Sequence, residues 1–280
     1  MYINKLLIAG RYVLVKNYTP KRFGAPGRRR RKRKRKMETP EAMARYNDRK
    51  RAEKIQMLML LNFDKGYHVI LDYPKNKRPE TYEEAEDNLR KCLYKISRKF
   101  RNQEKKFKYI AITERGKIRE ALHHHLIIES DPKVLKELTE VWGNHIKFSQ
   151  MYEEGAYKDL AEYFCKIETK EEQGKGKSRY HRSRNLKEPT VKSRIVSGPL
   201  RDDPVIPKGY EIIPESVVSG FNDFSGIRFQ KYLIKKSADG NLKAISRQHH
   251  SIEVFKRESF WEGFKKKIKR KIFGKEKRHG

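Results

Sequence analysis

The sequence predicts an α+β protein built on an antiparallel sheet in the split βαβ, or ferredoxin-like, arrangement, with helices on one face. Two observations carry this expectation. Between residues 67 and 167, segments with strand-like and helix-like periodicity follow in the order strand, helix, strand, strand, helix, strand, helix. Turn and cap residues stand at the junctions between them. A third observation limits the extent of the fold: the ends of the chain are polar and basic, so the compact part is expected in the middle.

The elements follow in chain order. Leu6 to Ile8 and Tyr12 to Val15 read as one or two short strands. Residues 21–36 form a basic arm with nine consecutive Arg or Lys from Arg28 to Lys36. Such a block repels itself and is expected to stay disordered until it meets phosphate. Thr39 as N-cap and Pro40 at the first helical position start a helix that runs through Ile55 and Leu58 to Leu61. Asn62 to Gly66 is a turn and Tyr67 to Tyr73 a strand. After a loop, Thr81 caps a helix to about Phe100, with Ala85, Leu89, Cys92, Leu93 and Ile96 on its apolar face. Phe107 to Glu114 and Leu122 to Glu129 are strands joined by the polar turn Arg115 to Glu120. Asp131 and Pro132 open a helix to about Trp142, which Gly143 ends; His145 to Gln150 is a strand and Tyr157 to about Ile167 a helix.

Beyond Lys166 the composition changes. Residues 168–190 are rich in Gly, Lys, Arg and Ser and read as a mobile loop; residues 198–230 read as irregular or weakly β, and Tyr232 to Ile234 as a short strand. The tail from Ser259 has the pattern of a basic amphipathic helix. The expected division is therefore a basic, flexible N-terminal arm (1–38), a compact core (39–170), a basic loop with an irregular accessory region (171–258) and an amphipathic tail (259–280).

The chain carries 68 Lys and Arg against 36 Asp and Glu in 280 residues, a formal net charge of +32. The natural partner of such a chain is a polyanion, because each phosphate contact releases a condensed counterion. A nucleic acid ranks first, an anionic membrane surface second, and a basic protein of ribosomal type is a further reading. Two cysteines, Cys92 and Cys165, are too few for a disulfide framework, which points to a reducing compartment and a cytoplasmic location. The apolar stretch at Leu6 to Ala9 is too short for a signal peptide, and no run reaches the ~18 apolar residues of a membrane helix.

Leu122-His123-His124-His125-Leu126 is the most informative segment. Side chains alternate along a strand, so His123 and His125 share one face and His124 takes the other. If the strands on either side of Arg115 to Glu120 form a hairpin, a register that sets Glu114 opposite His123 puts Glu114, His123 and His125 on one face. Two imidazoles and a carboxylate suit Mn²⁺ or Mg²⁺ with positions left for a phosphate oxygen, and can also bind Zn²⁺. Forty residues further on, Tyr163 and Lys166 are three apart on the expected helix. A cation beside a phenol favours the phenolate, which makes Tyr-x-x-Lys a sensible unit for attack on a phosphodiester. Tyr157 and Tyr180 compete for that role.

Together these residues resemble the HUH endonuclease superfamily, in particular the single-tyrosine rolling-circle replication initiators of small phages and mobile bacterial elements. His123-His124-His125 is similar to the histidine–hydrophobe–histidine motif, with His124 in the usually apolar middle place. Glu114 matches the upstream polar ligand, and Tyr163 to Lys166 the tyrosine motif. The strand His68 to Tyr73 looks like the family's first motif, from which Asp72 departs, and Tyr180 to Leu186 looks like a basic segment that follows the tyrosine. The likeness covers roughly residues 39–230.

The resemblance implies a metal-dependent DNA endonuclease and strand transferase. Glu114, His123 and His125 would hold Mg²⁺ or Mn²⁺, Tyr163 would form a 5′-phosphotyrosine link, and Lys166 would position the tyrosine or balance charge. The expected substrate is single-stranded DNA or an origin hairpin. The freed 3′-OH would prime a host polymerase. Gly176-Lys177-Ser178 resembles the end of a phosphate-binding loop, but Glu171 occupies the place of its first glycine. No ATPase is expected, so a host helicase is the implied partner. Two other readings remain: an HUH transposase or relaxase, which shares the site, and a non-catalytic basic nucleic-acid-binding protein with structural Zn²⁺.

Overall fold

A computed structural model describes residues 1–19, 40–63, 65–102, 106–116, 120–151, 154–165, 180–221 and 226–237. The chain divides into two compact units, Met1–Gly240 and Asn241–Gly280, and all the described residues belong to the first. The basic arm at 21–36, the expected loop at 168–179, Lys166 and the amphipathic tail lie outside the described residues. Among the described residues no helix is long and apolar enough to cross a membrane.

Seven elements follow in the expected order: β3 (Gly66–Leu71), α2 (Tyr82–Asn102), β4 (Tyr109–Arg115), β5 (Leu122–Glu129), α3 (Pro132–Trp142), β6 (Ile146–Gln150) and α4 (Lys158–Tyr163). A two-residue strand, β7 (His181–Arg182), extends the edge, and the sheet order is β6-β3-β5-β4-β7 with antiparallel neighbours. Local signals fix the helix ends. Thr81 Oγ1 accepts from the Glu84 amide at 3.2 Å, and Glu84 reaches back to the Glu80 amide at 3.1 Å. Asp131 accepts from the Lys133 amide at 2.9 Å ahead of Pro132, and α3 stops at Gly143 with φ 97°. The apolar stripes of α2 (Leu89, Ile96, Phe100) and α3 (Val134, Leu138) bury against Val69, Leu71, Ala111, Leu126 and Ile128 on one face of the sheet.

The opposite face is not left bare. Helix α1 (Pro40–Asn62) lies there, and all six residues from Ile55 to Leu60 are buried. A helix buried on every side needs apolar neighbours all round. Ile110, Ile112 and Ile127 of the first sheet supply one side, and Ala9, Tyr12, Leu14 and Leu233 of a second sheet supply the other. This second sheet is built from β1 (Tyr2–Ala9), β2 (Tyr12–Tyr18), β8 (Thr190–Val196), β9 (Tyr210–Phe221) and β10 (Arg228–Lys236), in the order β8-β1-β2-β10-β9. Gly10, at φ 59°, supplies the left-handed residue of the β1–β2 turn. Glu53 on α1 pairs with Lys16 on β2 and with Lys231 on β10 at 3.1 Å, which ties the helix to that sheet.

Strands thus occupy part of the 198–230 segment that the sequence suggests is irregular. The reason is visible in β9. Its Pro214 stands at an interruption of the ladder, where pairing shifts from Lys231↔Val218 to Leu233↔Ile213. β9 is also an edge strand, so the missing proline N–H leaves no partner unsatisfied. Ser216 repairs the gap, its Oγ accepting from the Leu233 amide at 2.7 Å.

Candidate functional site

Strands β4 and β5 pair with Glu114 opposite His123 and Ile112 opposite His125. Alternation then puts Glu114, His123 and His125 on the face that carries α1 and α4. One ligand atom from each of the three lies within 4.8 Å of the others. The Nε2 atoms of His123 and His125 are each 3.2 Å from Glu114 Oε1. Burial alone would raise the Glu114 carboxyl, but hydrogen bonds from His123 and His125, the His125 charge and the Tyr163 hydroxyl outweigh it, so the group is held well below the usual carboxylate range. It stands ionised, as a metal ligand must be.

The two imidazoles meet the same oxygen yet differ. Burial pulls both down. At His123, which keeps 16% of its side-chain surface, hydrogen bonds to Glu114 and the Ala121 carbonyl prevail and the value rises. At His125, with 4% left, burial prevails and the value falls. The Ala121 carbonyl can only accept, so at 3.2 Å it fixes the proton on His123 Nδ1 and turns Nε2 toward the site. The Gly116 amide donates to the same carbonyl at 2.9 Å and closes the hairpin end.

His68 completes the cluster. It lies on β3 opposite Ile127, on the same face as His125, and its Nε2 is 3.0 Å from His125 Nδ1. Burial first, then the neighbouring His125, lowers it to about 3, so it is neutral and able to accept from His125 Nδ1. That tautomer leaves the His125 Nε2 lone pair free for a metal. Asp72 adds a second carboxylate near His123 and His125. Its own charge is favoured against burial chiefly by Lys147, 2.9 Å away. Period-2 alternation along residues 68, 70 and 72 was the signal for both, but nothing in the sequence says that β3 lies beside β5.

Tyr163 enters from α4. Its hydroxyl donates to Glu114 and lies 2.9 Å from His125 Nε2, with its ring edge-on to the imidazole at 5.0 Å. Anchors at the start of α4 aim it there. The Gln56 amide of α1 donates to the Ala156 carbonyl at 2.8 Å, and the buried Tyr157 hydroxyl donates to the Phe63 carbonyl. Ala161 and Phe164 bury in the α1 core. Tyr157 adopts φ 58° and α4 spans six residues, shorter than the expected helix to Ile167. Of the competing tyrosines, Tyr157 is committed to Phe63 and Tyr180 packs against the α1 core. Lys166, the remaining predicted site residue, lies outside the described residues.

His124 points the other way, as alternation requires. It is fully buried, with Nε2 2.6 Å from the Tyr73 hydroxyl and Nδ1 2.9 Å from Thr113 Oγ1. Thr113 donates to Glu86, which also bonds His181 on β7. Burial lowers His124 to about 3 and keeps it neutral.

No curated protein and no solved structure matches the chain. The sequence model of the replication-associated protein ORF2 family matches residues 66–172, from β3 past α4, a stretch that holds Glu114, His123, His125, Tyr163 and Lys166. Over that stretch the chain is similar to a replication-associated family.

Proposed function

We propose that the protein is a rolling-circle replication initiator of the HUH type, an endonuclease and strand transferase that nicks single-stranded DNA with Tyr163. The observation that carries this reading is the contact of the Tyr163 hydroxyl with both Glu114 and His125. A nucleophile already at the would-be metal ligands needs only a phosphate between them.

The donor set fits a divalent ion: an ionised carboxylate, a buried neutral imidazole, and a second imidazole whose Nδ1 proton is fixed elsewhere. Mn²⁺ or Mg²⁺ bound by Glu114, His123 and His125 would supply Lewis-acid polarisation of the scissile phosphate. The remaining chemistry belongs to the chain. Tyr163 Oη attacks phosphorus in line, the new Oη–P bond forms, and the P–O3′ bond breaks. The departing oxygen takes up the proton lost by the phenol and leaves as a 3′-OH. The product is a 5′-phosphotyrosine, and a later 3′-OH can reverse the step. Lys166 is assigned the balancing positive charge beside the phenol. The 3′-OH primes a host polymerase, and a host helicase opens the duplex, in the cytoplasm.

The test is incubation of the full chain with single-stranded oligonucleotides and Mn²⁺, followed by a denaturing gel. A protein–DNA adduct is expected. It disappears with EDTA and in Tyr163→Phe, while that variant still binds DNA. An adduct that survives in Tyr163→Phe would remove Tyr163 from the chemistry. A chain that binds DNA but never forms an adduct would favour a non-catalytic binding protein.

A further inference from the structure

A cleft of about 580 Å³ opens between α2 and the β7 edge. It lies on the face of the sheet opposite the histidines, because Tyr109 alternates with Ala111 and Thr113 rather than with Glu114. Tyr109 is five residues from Glu114 on β4, which is about 17 Å at strand rise. The cleft is therefore a separate surface from the metal site.

Its chemistry is one-sided. Five of the lining residues are Arg or Lys and none is Asp or Glu. Arg90, Tyr94, Ser97 and Arg101 stand at helical spacing along one stripe of α2. Facing them, Arg182 and Arg184 flank Ser183, which is buried and bonded both ways to the Tyr109 backbone at 3.0 and 3.2 Å. That backbone is held as a continuation of the sheet, so the two arginines are mounted on a fixed support. Arg90 and Arg182 are paired with Asp87 and Glu188, which stand outside the lining. Among the described residues Arg101, Lys106 and Arg184 have no carboxylate within ion-pair distance. In the middle of these cations the Tyr94 ring is 62% exposed. Ordinary solvated helix faces mix both signs and keep large rings covered. Unpaired cations around an open aromatic ring are the pattern that holds a single strand, with phosphates on the charges and a base on the ring.

We infer that this cleft is a second nucleic-acid site, which binds single-stranded DNA with phosphates on Arg101, Lys106 and Arg184 and a base stacked on Tyr94. That the strand is the one flanking a nick rests on the proposed function; the binding itself does not. A duplex, whose bases are already stacked, would use the charges and leave the ring idle.

The test uses the full-length Tyr163→Phe chain, so the result does not depend on whether nicking occurs. A thymidine oligonucleotide carrying 5-iodouracil is crosslinked by ultraviolet light and the attachment is mapped by mass spectrometry. The expected adduct is on Tyr94. In parallel, Arg101→Glu with Arg184→Glu is expected to weaken binding of the same oligonucleotide roughly tenfold, and to reduce the slope of log K against log salt by about 1.4, two single-strand contacts. Both substituted residues are exposed, so the fold is expected to persist, which circular dichroism checks. The inference is overturned if crosslinks fall only outside residues 90–109 and 181–185. It is equally overturned if the double variant keeps both affinity and slope, or if a duplex crosslinks Tyr94 as efficiently as the single strand.

Discussion

His68 Nε2 lies 3.0 Å from His125 Nδ1, and the two rings stack at 5.2 Å with 15° between their planes. This contact decides which nitrogen of His125 faces Glu114 and Tyr163. An outer hydrogen bond of this kind sets the tautomer, the ring orientation and the basicity of a metal-ligating imidazole. His68→Ala is therefore expected to lower Mn²⁺ affinity by roughly 10- to 100-fold. Titration calorimetry measures it, and equal affinities in the two proteins would reduce His68 to packing.

His124 makes the contrasting case. It separates the two ligands in sequence but contacts Tyr73 and Thr113 on the far side of the sheet. His124→Ala leaves those hydroxyls short of a partner and opens a cavity under Trp142, whose ring sits 5.3 Å away. A loss of about 2–4 kcal/mol of stability is expected. Urea denaturation reads that loss. Under conditions where the variant is folded, Mn²⁺ affinity is expected to change far less than in His68→Ala. A variant that keeps its stability but loses metal would place His124 in the site after all.

These two histidines show what could be read in advance. The opposition of Glu114 and His123 was legible because a strand has period two and the turn between the strands is short. The limits of α3 were legible because Asp131, Pro132 and Gly143 are local signals. The second sheet was not, because its strongest pairings join residues 2–8 to 190–196 and residues 12–18 to 229–235. Nothing local announces a partner so distant in sequence. Pro214 and Gly220 read as breakers, and only the edge position and the ladder interruption make them tolerable. His68 was hidden for the same reason. Its face follows from alternation, whereas its neighbour follows from the strand order.

Gly66 begins β3 under an unusual constraint. A Cβ there would come 2.7 Å from the Ile128 carbonyl oxygen, 3.0 Å from Met151 Sδ and 3.2 Å from Phe63 Cβ. The sulfur can yield, but the carbonyl belongs to the backbone of β5, whose shift would carry the histidines with it. Gly66→Ala is expected to cost about 1–3 kcal/mol. It should also weaken Mn²⁺ binding, whereas Gly143→Ala, which meets nothing within 4 Å, should leave metal binding unchanged. Thermal melts and calorimetry on the pair separate strain at the site from a general loss of glycine.

The Glu53 carboxylate gives the fold an acid-sensitive joint. Burial would raise it, but Lys16 and Lys231 outweigh burial and hold it below the ordinary carboxylate value. A group depressed in the folded state binds its proton more readily in the unfolded chain, so its contribution is fully present above the unfolded value of ~4.3. That contribution disappears as the pH falls from there through the lowered folded value. Glu53→Gln is expected to lose about 1–2 kcal/mol at pH 7, a modest figure because the lysines keep roughly a quarter of their side-chain surface in solvent. The gap between wild type and Glu53→Gln should then close on acidification, in denaturation curves taken stepwise from pH 7 downward. A gap that stays constant with pH would mean that shape at the α1–sheet contact, and not charge, is what Glu53 contributes.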